Sequence, residues 1–447
     1  MNEFNMLFES FRSVFTAPSF VHFQVLMVSL WALPLITGGR VSLARMWLAS
    51  QTTEHWDGLL RFVRRYVWGP DELAQALTLL VLRTVKGRLP TGADGRPWVL
   101  VGVDETTDEH PTAKKIFGVS THYHPTARTG QSKYRLGHGW VTISLLIDVS
   151  SDYVRSLAVN IALYIARKRC RPKDYLSKRE LATEMLDKLA RWLGPDYRIV
   201  VVGDAYYACR DWIARQQQAS RRVVTRLRED ADVRQLPRRP RTARRGRPRV
   251  YGPRIDLKRR ARSLEKFEPE VEVTVYGRVH RVRLRKLVCL WRGLKDPVSV
   301  VIVRGIGKKP VYLLDTDPTA PALETLLFYA ARHAVEQPYE DLKGDGGLGH
   351  SRGRTERGVR RFALLTVVAH TLLRLIELEP SLRNLLPTVD EPWRKLVSHL
   401  TCGQIRMAIA HLLLDQYART GNFFHFDTQA RHDDISPSTR PAAKLAA

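Results

Sequence analysis

Two short apolar runs, each leading directly into an aspartate, most constrain the fold of this chain. Residues 99–103 precede Asp104, and residues 199–203 precede Asp204. Apolar runs of this length are typical of strands that are buried on both faces of a sheet. A capping box at residues 177–180 opens an amphipathic helix between the two runs. Strands that alternate with helices predict an α/β fold, with each strand of the two runs ending at its aspartate.

The segments on either side of this region have different patterns. Apolar residues recur at intervals of three and four up to about residue 90, which predicts helices. Residues 221–262 contain seventeen Lys or Arg and four Asp or Glu, and alternating strand-like runs follow. We therefore predict an N-terminal helical domain over 1–92 and a core that is interrupted by a basic β-rich insertion over 221–318. The first part of the core spans 93–220, and its second part, with C-terminal helices, spans 319–420. A disordered tail is predicted over 421–447.

The charge balance points to a polyanionic partner. Lys and Arg number 72 against 45 Asp and Glu, a formal net charge of +27. A surplus of this size favours nucleic acid as the partner, and a basic protein that binds no polyanion is the alternative.

Cysteines and apolar segments bear on the compartment. The four cysteines, Cys170, Cys209, Cys289 and Cys402, form no CxxC pair, so neither a disulfide scaffold nor a zinc site is predicted. The apolar stretch 23–36 contains Gln, Ser and Pro and is too short to span a bilayer, so we predict a buried helix there. These features predict a cytoplasmic protein without a membrane partner.

A third acidic residue, Glu336, lies in a helix-like segment together with Tyr329, Arg332 and Lys343. At about 100° per residue, the four side chains share an arc of about 60°. A solvated charged face is the alternative explanation of such an array. Pro338 is expected to kink the helix, which makes the position of Lys343 the least secure.

The spacing of these four residues, Tyr-x2-Arg-x3-Glu-x6-Lys, resembles the signature of DDE transposases of the insertion-sequence-four type. Residues 101–106 and 202–207 resemble the first and second acidic motifs of that family. The long insertion before the signature also resembles the layout of the family. The resemblance covers about residues 95–375, and the N-terminal helices fit by position only.

The resemblance implies a ribonuclease H-like catalytic core in which Asp104, Asp204 and Glu336 are the catalytic metal ligands. Three carboxylates without His or Cys suit Mg²⁺ or Mn²⁺ better than zinc. Two Mg²⁺ ions are therefore the expected cofactor, and Mn²⁺ is expected to substitute.

The implied activity is that of a DNA transposase, which cleaves the ends of an insertion sequence and joins them to target DNA. The implied partners are double-stranded DNA, as transposon ends and as target, and a second copy of the chain in a synaptic homodimer. The N-terminal helical domain, 1–92, would then bind DNA and recognise the terminal inverted repeats. Tyr329, Arg332 and Lys343 would hold phosphates near the cleaved end, and whether cleavage passes through a hairpin stays open. A catalytically silent DNA-binding regulator derived from a transposase and a stand-alone nuclease are the alternatives.

Further DNA contacts are expected outside the signature. Arg245, Arg247 and Arg249 form an Arg-Gly-Arg-Pro-Arg segment that resembles an AT-hook, in which arginines enter a narrow minor groove. Trp291 is a candidate for stacking a flipped base, with a buried structural tryptophan as the alternative. His370 is expected to be a core histidine.

Several other acids compete with the three for a role in the site. Glu340 follows Glu336 by one helical turn and is the alternative third ligand. Asp148 and Asp315 also end strand-like runs, and turn or capping roles are expected for them. Glu105 and Asp108 are expected to lie beside the site or to face solvent.

Overall fold

The computed structural model describes residues 2–37, 41–50, 57–92, 94–124, 129–237, 249–344, 346–387 and 399–420. Its α-helices in these ranges are α1 (Asn2–Glu9), α2 (Ala17–Thr37), α3 (Leu43–Ser50), α4 (Gly58–Arg64), α5 (Pro70–Val85), α6 (Lys178–Leu193), α7 (Arg210–Gln218), α8 (Leu257–Arg262), α9 (Ala322–Ala331), α10 (Glu336–Lys343), α11 (Glu356–Leu378), α12 (Pro380–Arg383) and α13 (Cys402–Thr420). Its strands are β1 (Trp98–Glu109), β2 (Ser120–Tyr123), β3 (Tyr134–Ile147), β4 (Arg155–Tyr164), β5 (Arg198–Gly203), β6 (Arg222–Arg226), β7 (Val233–Arg234), β8 (Val271–Val275), β9 (Arg278–Trp291), β10 (Val298–Arg304) and β11 (Val311–Asp315).

One large mixed sheet runs through the molecule and confirms the α/β class. Its strand order is β2-β3-β1-β5-β6-β11-β10-β9-β7, with β4 paired to β3 and β8 paired to β9. The centre is mixed, because β1 runs antiparallel to β3 but parallel to β5, and β5 runs parallel to β6. Strands β6 to β11 lie in the predicted insertion, 221–318; β6 pairs with β5, and β11, β10 and β9 extend the same sheet from β6. The insertion therefore continues the central sheet.

Strand β1 is longer than its apolar run predicts. We expected the strand to end at Asp104, but pairing with β3 continues to Glu109, opposite Gly137. Residues 104–109 remain extended because β3 supplies backbone partners along this whole length. Asp104 is therefore a mid-strand residue. The second acid is placed as expected, since Asp204 directly follows β5.

Helix α2 is buried, as predicted for the apolar stretch within it. The Trp31 indole donates to the carbonyl oxygen of Ala369 in α11 at 2.8 Å, and Arg406 of α13 donates to the carbonyl oxygens of Leu30 and Trp31. No helix in the described ranges combines the length and apolarity needed to cross a membrane.

Helix α11 joins the N-terminal helices to the sheet. It packs against β4 on one side and against α2, α4 and α5 on the other. Arg361 of α11 donates to the carbonyl oxygens of Tyr66 and Trp68. These hydrogen bonds give partners to two backbone carbonyls in the segment that links α4 to α5. The N-terminal helices thus share the main hydrophobic core with the sheet. A separate DNA-binding role for residues 1–92 stays a prediction.

The predicted helix around Glu336 consists of three pieces. Helix α9 ends at Ala331, residues 332–335 form a 3₁₀ turn, and α10 begins at Glu336. Pro338 lies in the first turn of α10, where a missing N–H is tolerated. Its ring crowds the carbonyl of the residue four positions earlier, which accounts for the tightened turn before it. The break thus precedes the proline, and Glu336 starts a new helix.

Candidate active site

Arg332 connects two of the three predicted acids. Its Nη1 donates to Asp104 Oδ2 at 2.9 Å, and its Nη2 lies 3.8 Å from Glu336 Oε1. The Asp104 and Arg332 side chains are 13% and 18% exposed, so this ion pair is largely shielded from water, whereas Glu336 is 52% exposed. The helical segment is thereby held against the middle of β1.

Asp204 is placed next to Asp104 by the register of two parallel strands. Val103 of β1 pairs with Gly203 of β5, and each acid is the residue that follows. The Asp204 carboxylate accepts from the backbone N–H of Tyr206 at 2.9 Å and so caps the turn after β5. Its carbonyl oxygen accepts from Thr225 at 2.7 Å, which ties the turn to β6.

The acids affect each other electrostatically. Burial raises the pKa of Asp104, the Arg332 guanidinium opposes this rise, and the carboxylates of Asp204 and Glu336 add to it; together they place the pKa at about 7. Negative charge is therefore crowded at a partly buried position, where a cation would relieve the repulsion. The donor atoms are all carboxylate oxygens, the ligands that hard divalent cations prefer. The residue types therefore fit a divalent metal ion.

The three carboxylates are not, however, at ligand spacing from one another. Among the described residues, the groups of three or more whose ligand atoms all lie within 4.8 Å are Asp108 with His110 and His138, and Asp341 with His370 and Cys402. Arg332 lies between Asp104 and Glu336 and supplies the positive charge there. The structure thus brings the three acids to one region of the sheet, with a guanidinium between the first and the third.

The other two signature residues flank this region. Burial raises the pKa of the Tyr329 phenol in α9, and the nearby Arg332 opposes this rise. Lys343 ends α10 with its Nζ 5.9 Å from the Tyr339 ring centroid. Burial lowers the pKa of Lys343, whereas Asp108 and Asp104 raise it. The four signature residues, on both sides of the 3₁₀ turn, therefore all interact electrostatically with Asp104 or Asp204.

Lys178 is a site residue that sequence analysis missed. It is the first residue of α6, directly after the capping Ser177, and it forms an ion pair with Glu105. Burial lowers the pKa of its ammonium, while Asp204 and Asp104 raise it. The only signal in the sequence was a lysine at the start of the helix that separates the two acid-bearing strands.

The remaining predicted DNA-binding residues are Arg245, Arg247, Arg249 and Trp291. Arg245 and Arg247 lie outside the described residues, and Arg249 is exposed. Trp291 ends β9, is 9% exposed and belongs to the main core. Base stacking by Trp291 would require its ring to leave this core, and the role stays a prediction.

Two of the acids that compete for a role in the site, Glu340 and Asp148, lie in other surroundings. Glu340 lines a cavity with Tyr153, His370 and Arg374, away from Arg332. Asp148 forms ion pairs with Arg88 at 3.1 Å and Arg155 at 2.8 Å, in a turn where its φ is 57°.

Two further acids are buried. Asp315 is fully buried and pairs with Arg222 at 2.6 Å. Asp108 was expected beside the site or facing solvent, but it is 3% exposed, because its strand continues past Asp104 into the interior. His370 is buried as expected, and its Nε2 lies 3.1 Å from Asp341 Oδ2.

The geometry is that of acidic side chains gathered on a mixed sheet beside an arginine, in a strongly basic chain. A family model described as DDE superfamily endonuclease matches residues 28–288, more than half of the 447 residues. The chain belongs to this superfamily. The matched range includes Asp104 and Asp204 but ends before Glu336. A comparison with curated proteins found no match.

The raised pKa of Asp104 predicts how stability depends on pH without divalent ions. The folded-state pKa of about 7 lies above the ordinary value of 3.8, so the folded protein holds this proton more tightly than the unfolded chain. Stability should therefore fall as the pH rises between these two values, by an amount on the order of 4 kcal/mol from this group.

Melting curves in chelator at about pH 5 and about pH 8 test this prediction. Asp104→Asn cannot ionise and is expected to show a smaller decrease in Tm than the wild type. Equal decreases would show that Asp104 is already ionised at the lower pH.

Proposed function

We propose that this chain is a DNA transposase of the insertion-sequence-four type, which cleaves the ends of an insertion sequence and joins them to target DNA. The ion pair between Arg332 and Asp104 carries the proposal. These residues are 228 positions apart. Arg332 belongs to the Tyr-Arg-Glu-Lys pattern, and Asp104 belongs to the segment that resembles a first acidic motif. Their side chains are in direct contact.

The sheet supports a ribonuclease H-like core. Strands β4, β3 and β1 are antiparallel neighbours, and β5 and β6 then continue parallel to β1. Asp104 lies on β1, and Asp204 directly follows β5, the parallel neighbour of β1. The basic β-rich segment follows β6 and returns the chain to α9 and Glu336.

Divalent cations are the proposed cofactor, since nucleases of this superfamily normally use them. Asp104, Asp204 and Glu336 would hold two Mg²⁺ ions, with Mn²⁺ as a substitute. Bound there, such ions would activate the attacking oxygen and stabilise the leaving oxygen of a phosphodiester. For all three carboxylates to serve, Arg332 would give up its contact with Asp104 or Glu336.

The cations around the acids would hold the DNA backbone. Arg332 presents a planar guanidinium that can turn from the carboxylates to a phosphate, and such a group binds phosphate through two parallel hydrogen bonds. Lys178 forms an ion pair with Glu105, and Lys343 interacts electrostatically with Asp108 and Asp104, so both cations lie beside the part of β1 that begins at Asp104. In the proposed reaction, water attacks first, and the freed 3′-hydroxyl then attacks target DNA.

Two ends are joined in such a reaction, so we propose that the chain acts as a synaptic homodimer. The N-terminal helices would recognise the terminal repeats, and Arg245, Arg247 and Arg249 would contact a minor groove.

The proposal is tested with a plasmid in which the DNA flanking this reading frame on both sides brackets a marker. The full chain with Mg²⁺ or Mn²⁺ should release the marker fragment and join its ends to a second plasmid, and chelator should stop both steps. A plasmid without the flanking DNA is the control. Binding without cutting would establish the silent regulator, and cutting without joined products would establish a stand-alone nuclease.

A further inference from the structure

Asp108, His110 and His138 form a buried cluster that the proposed reaction does not use. They are 3%, 4% and 0% exposed. Asp108 and His138 are directly opposite each other in the β1–β3 register, and His110 follows the end of β1. All three offer ligand atoms that lie within 4.8 Å of one another. A buried cluster of this composition needs a balance of charge, because an uncompensated carboxylate is costly inside a protein.

Neutral donors already hold the Asp108 carboxylate in place. The His138 backbone N–H donates to Oδ1 at 2.8 Å, and the Trp140 indole donates to Oδ2 at 3.1 Å. Among the described residues, the basic side chains within 4.0 Å of this carboxylate are His110 and His138. Each carboxylate oxygen keeps a lone pair for a cation. Hydrogen-bonded carboxylates of this kind are typical metal ligands.

The ring of His138 is oriented as in a metal-binding histidine. Its Nε2 lies 2.9 Å from the carbonyl oxygen of Phe117, which can only accept, so Nε2 carries a hydrogen. Its Nδ1 faces Asp108 at 3.3 Å. A neutral ring would then direct a lone pair at a carboxylate, and either a proton on Nδ1 or a metal ion between the two groups would remove this repulsion. Histidines that bind metals commonly donate their other N–H to a backbone carbonyl in this way.

His110 completes the set. Its Nε2 is buried, lies 3.5 Å from Asp108 Oδ1 and has no hydrogen-bond partner among the described residues. Two ligand atoms at tetrahedral angles and about 2.1 Å from one ion lie roughly 3.4 Å apart. The separations of 3.3 Å and 3.5 Å from Asp108 match that spacing. Two imidazoles and one carboxylate suit zinc better than magnesium.

We propose that Asp108, His110 and His138 bind a zinc-class divalent transition-metal ion, in a structural site separate from the three catalytic acids. The ion would join the end of β1, the loop after it and β3. Because Asp104 lies four residues earlier on the same strand, such a site would fix the part of β1 that carries the first acid.

Metal analysis of the purified full chain tests this proposal. The second cluster, Asp341 with His370 and Cys402, is removed by Cys402→Ser in every sample, so that one site is measured. After dialysis against zinc and then against metal-free buffer, the Cys402→Ser protein should retain about one zinc per chain. His110→Gln should reduce this to the background. His122→Gln, a half-buried histidine on β2 beside the cluster, should retain the ion.

Cobalt gives a second readout that needs no substitution in the proposed site itself. The Cys402→Ser protein loaded with Co²⁺ should show the intense visible absorption of tetrahedral coordination, and a chelator should lower its Tm. Absence of bound zinc and of any Tm change on adding zinc would overturn the proposal in favour of a protonated histidine beside Asp108. Retention of zinc by a folded His110→Gln variant would also overturn it. DNA cleavage is not part of either readout, so failure here leaves the proposed transposase activity intact.

Discussion

Replacing Asp104 with Asn should abolish metal-dependent DNA cleavage while DNA binding persists. Asn has the same shape but only one oxygen and no charge, so it cannot hold a divalent ion as a carboxylate does. Loss of a single positioned charge in an active site costs about 10²–10³ in rate, and loss of a metal ligand should cost at least about 10³. Affinity for DNA should stay within about threefold, because the basic side chains that contact phosphates are unchanged.

The comparison needs two further variants. Asp204→Asn should show the same loss, since the β1–β5 register places it beside Asp104. Asp211→Asn changes an exposed acid in the first turn of α7 and should cleave like the wild type. Single-turnover cleavage of a labelled end substrate measures the rate, and a gel shift in chelator measures binding. Cleavage by Asp104→Asn at a wild-type rate would remove Asp104 from the catalytic set.

The strands that lead into Asp104 and Asp204 could be predicted from the sequence, because each acid follows an apolar run that is long enough for a buried strand. The length of β1 could not. Residues 104–109 are polar, and they are extended only because β3 pairs with them as far as Gly137. Which strand pairs with which, and in what register, depends on the whole fold.

The same limitation hid the cluster around Asp108. Asp108 and His138 are thirty positions apart, and only the cross-strand register makes them partners. Lys178 was missed for a similar reason, since its contact with Glu105 joins a helix to a strand far from it in sequence. The helical signature, by contrast, could be recognised from residue types and spacing, because its members are close together in the chain.

The helical signature was predicted with one error of geometry. The arc was calculated for one helix with an expected kink at Pro338, whereas the chain forms two α-helices with a 3₁₀ turn between them that precedes the proline. Arg332 and Glu336 remain neighbours because three to four residues separate one helical turn from the next in either geometry. Proline at position 338 accounts for the tight turn, and a period calculated for an ideal helix could not include it.

Glu336 and Glu340 provide the sharpest test of the third acid. Glu336 lies 3.8 Å from Arg332, whereas Glu340 lines a cavity with Tyr153 and Arg374. Glu336→Gln should therefore reduce cleavage by at least about 10²-fold, and Glu340→Gln should change it by less than about threefold. Both side chains are exposed, so neither substitution should alter stability by more than about 0.5 kcal/mol.

The two variants differ by one turn of the same helix, which makes each the control for the other. End cleavage in Mg²⁺ gives the rate, and melting curves show that both proteins are folded. Glu336→Asp adds a graded variant, because it keeps the charge but withdraws it by one methylene, and it should retain more activity than Glu336→Gln. If Glu340→Gln were inactive and Glu336→Gln active, the third ligand would be Glu340. The contact between Arg332 and Glu336 would then be a surface ion pair, of the kind that contributes at most about 1 kcal/mol to stability.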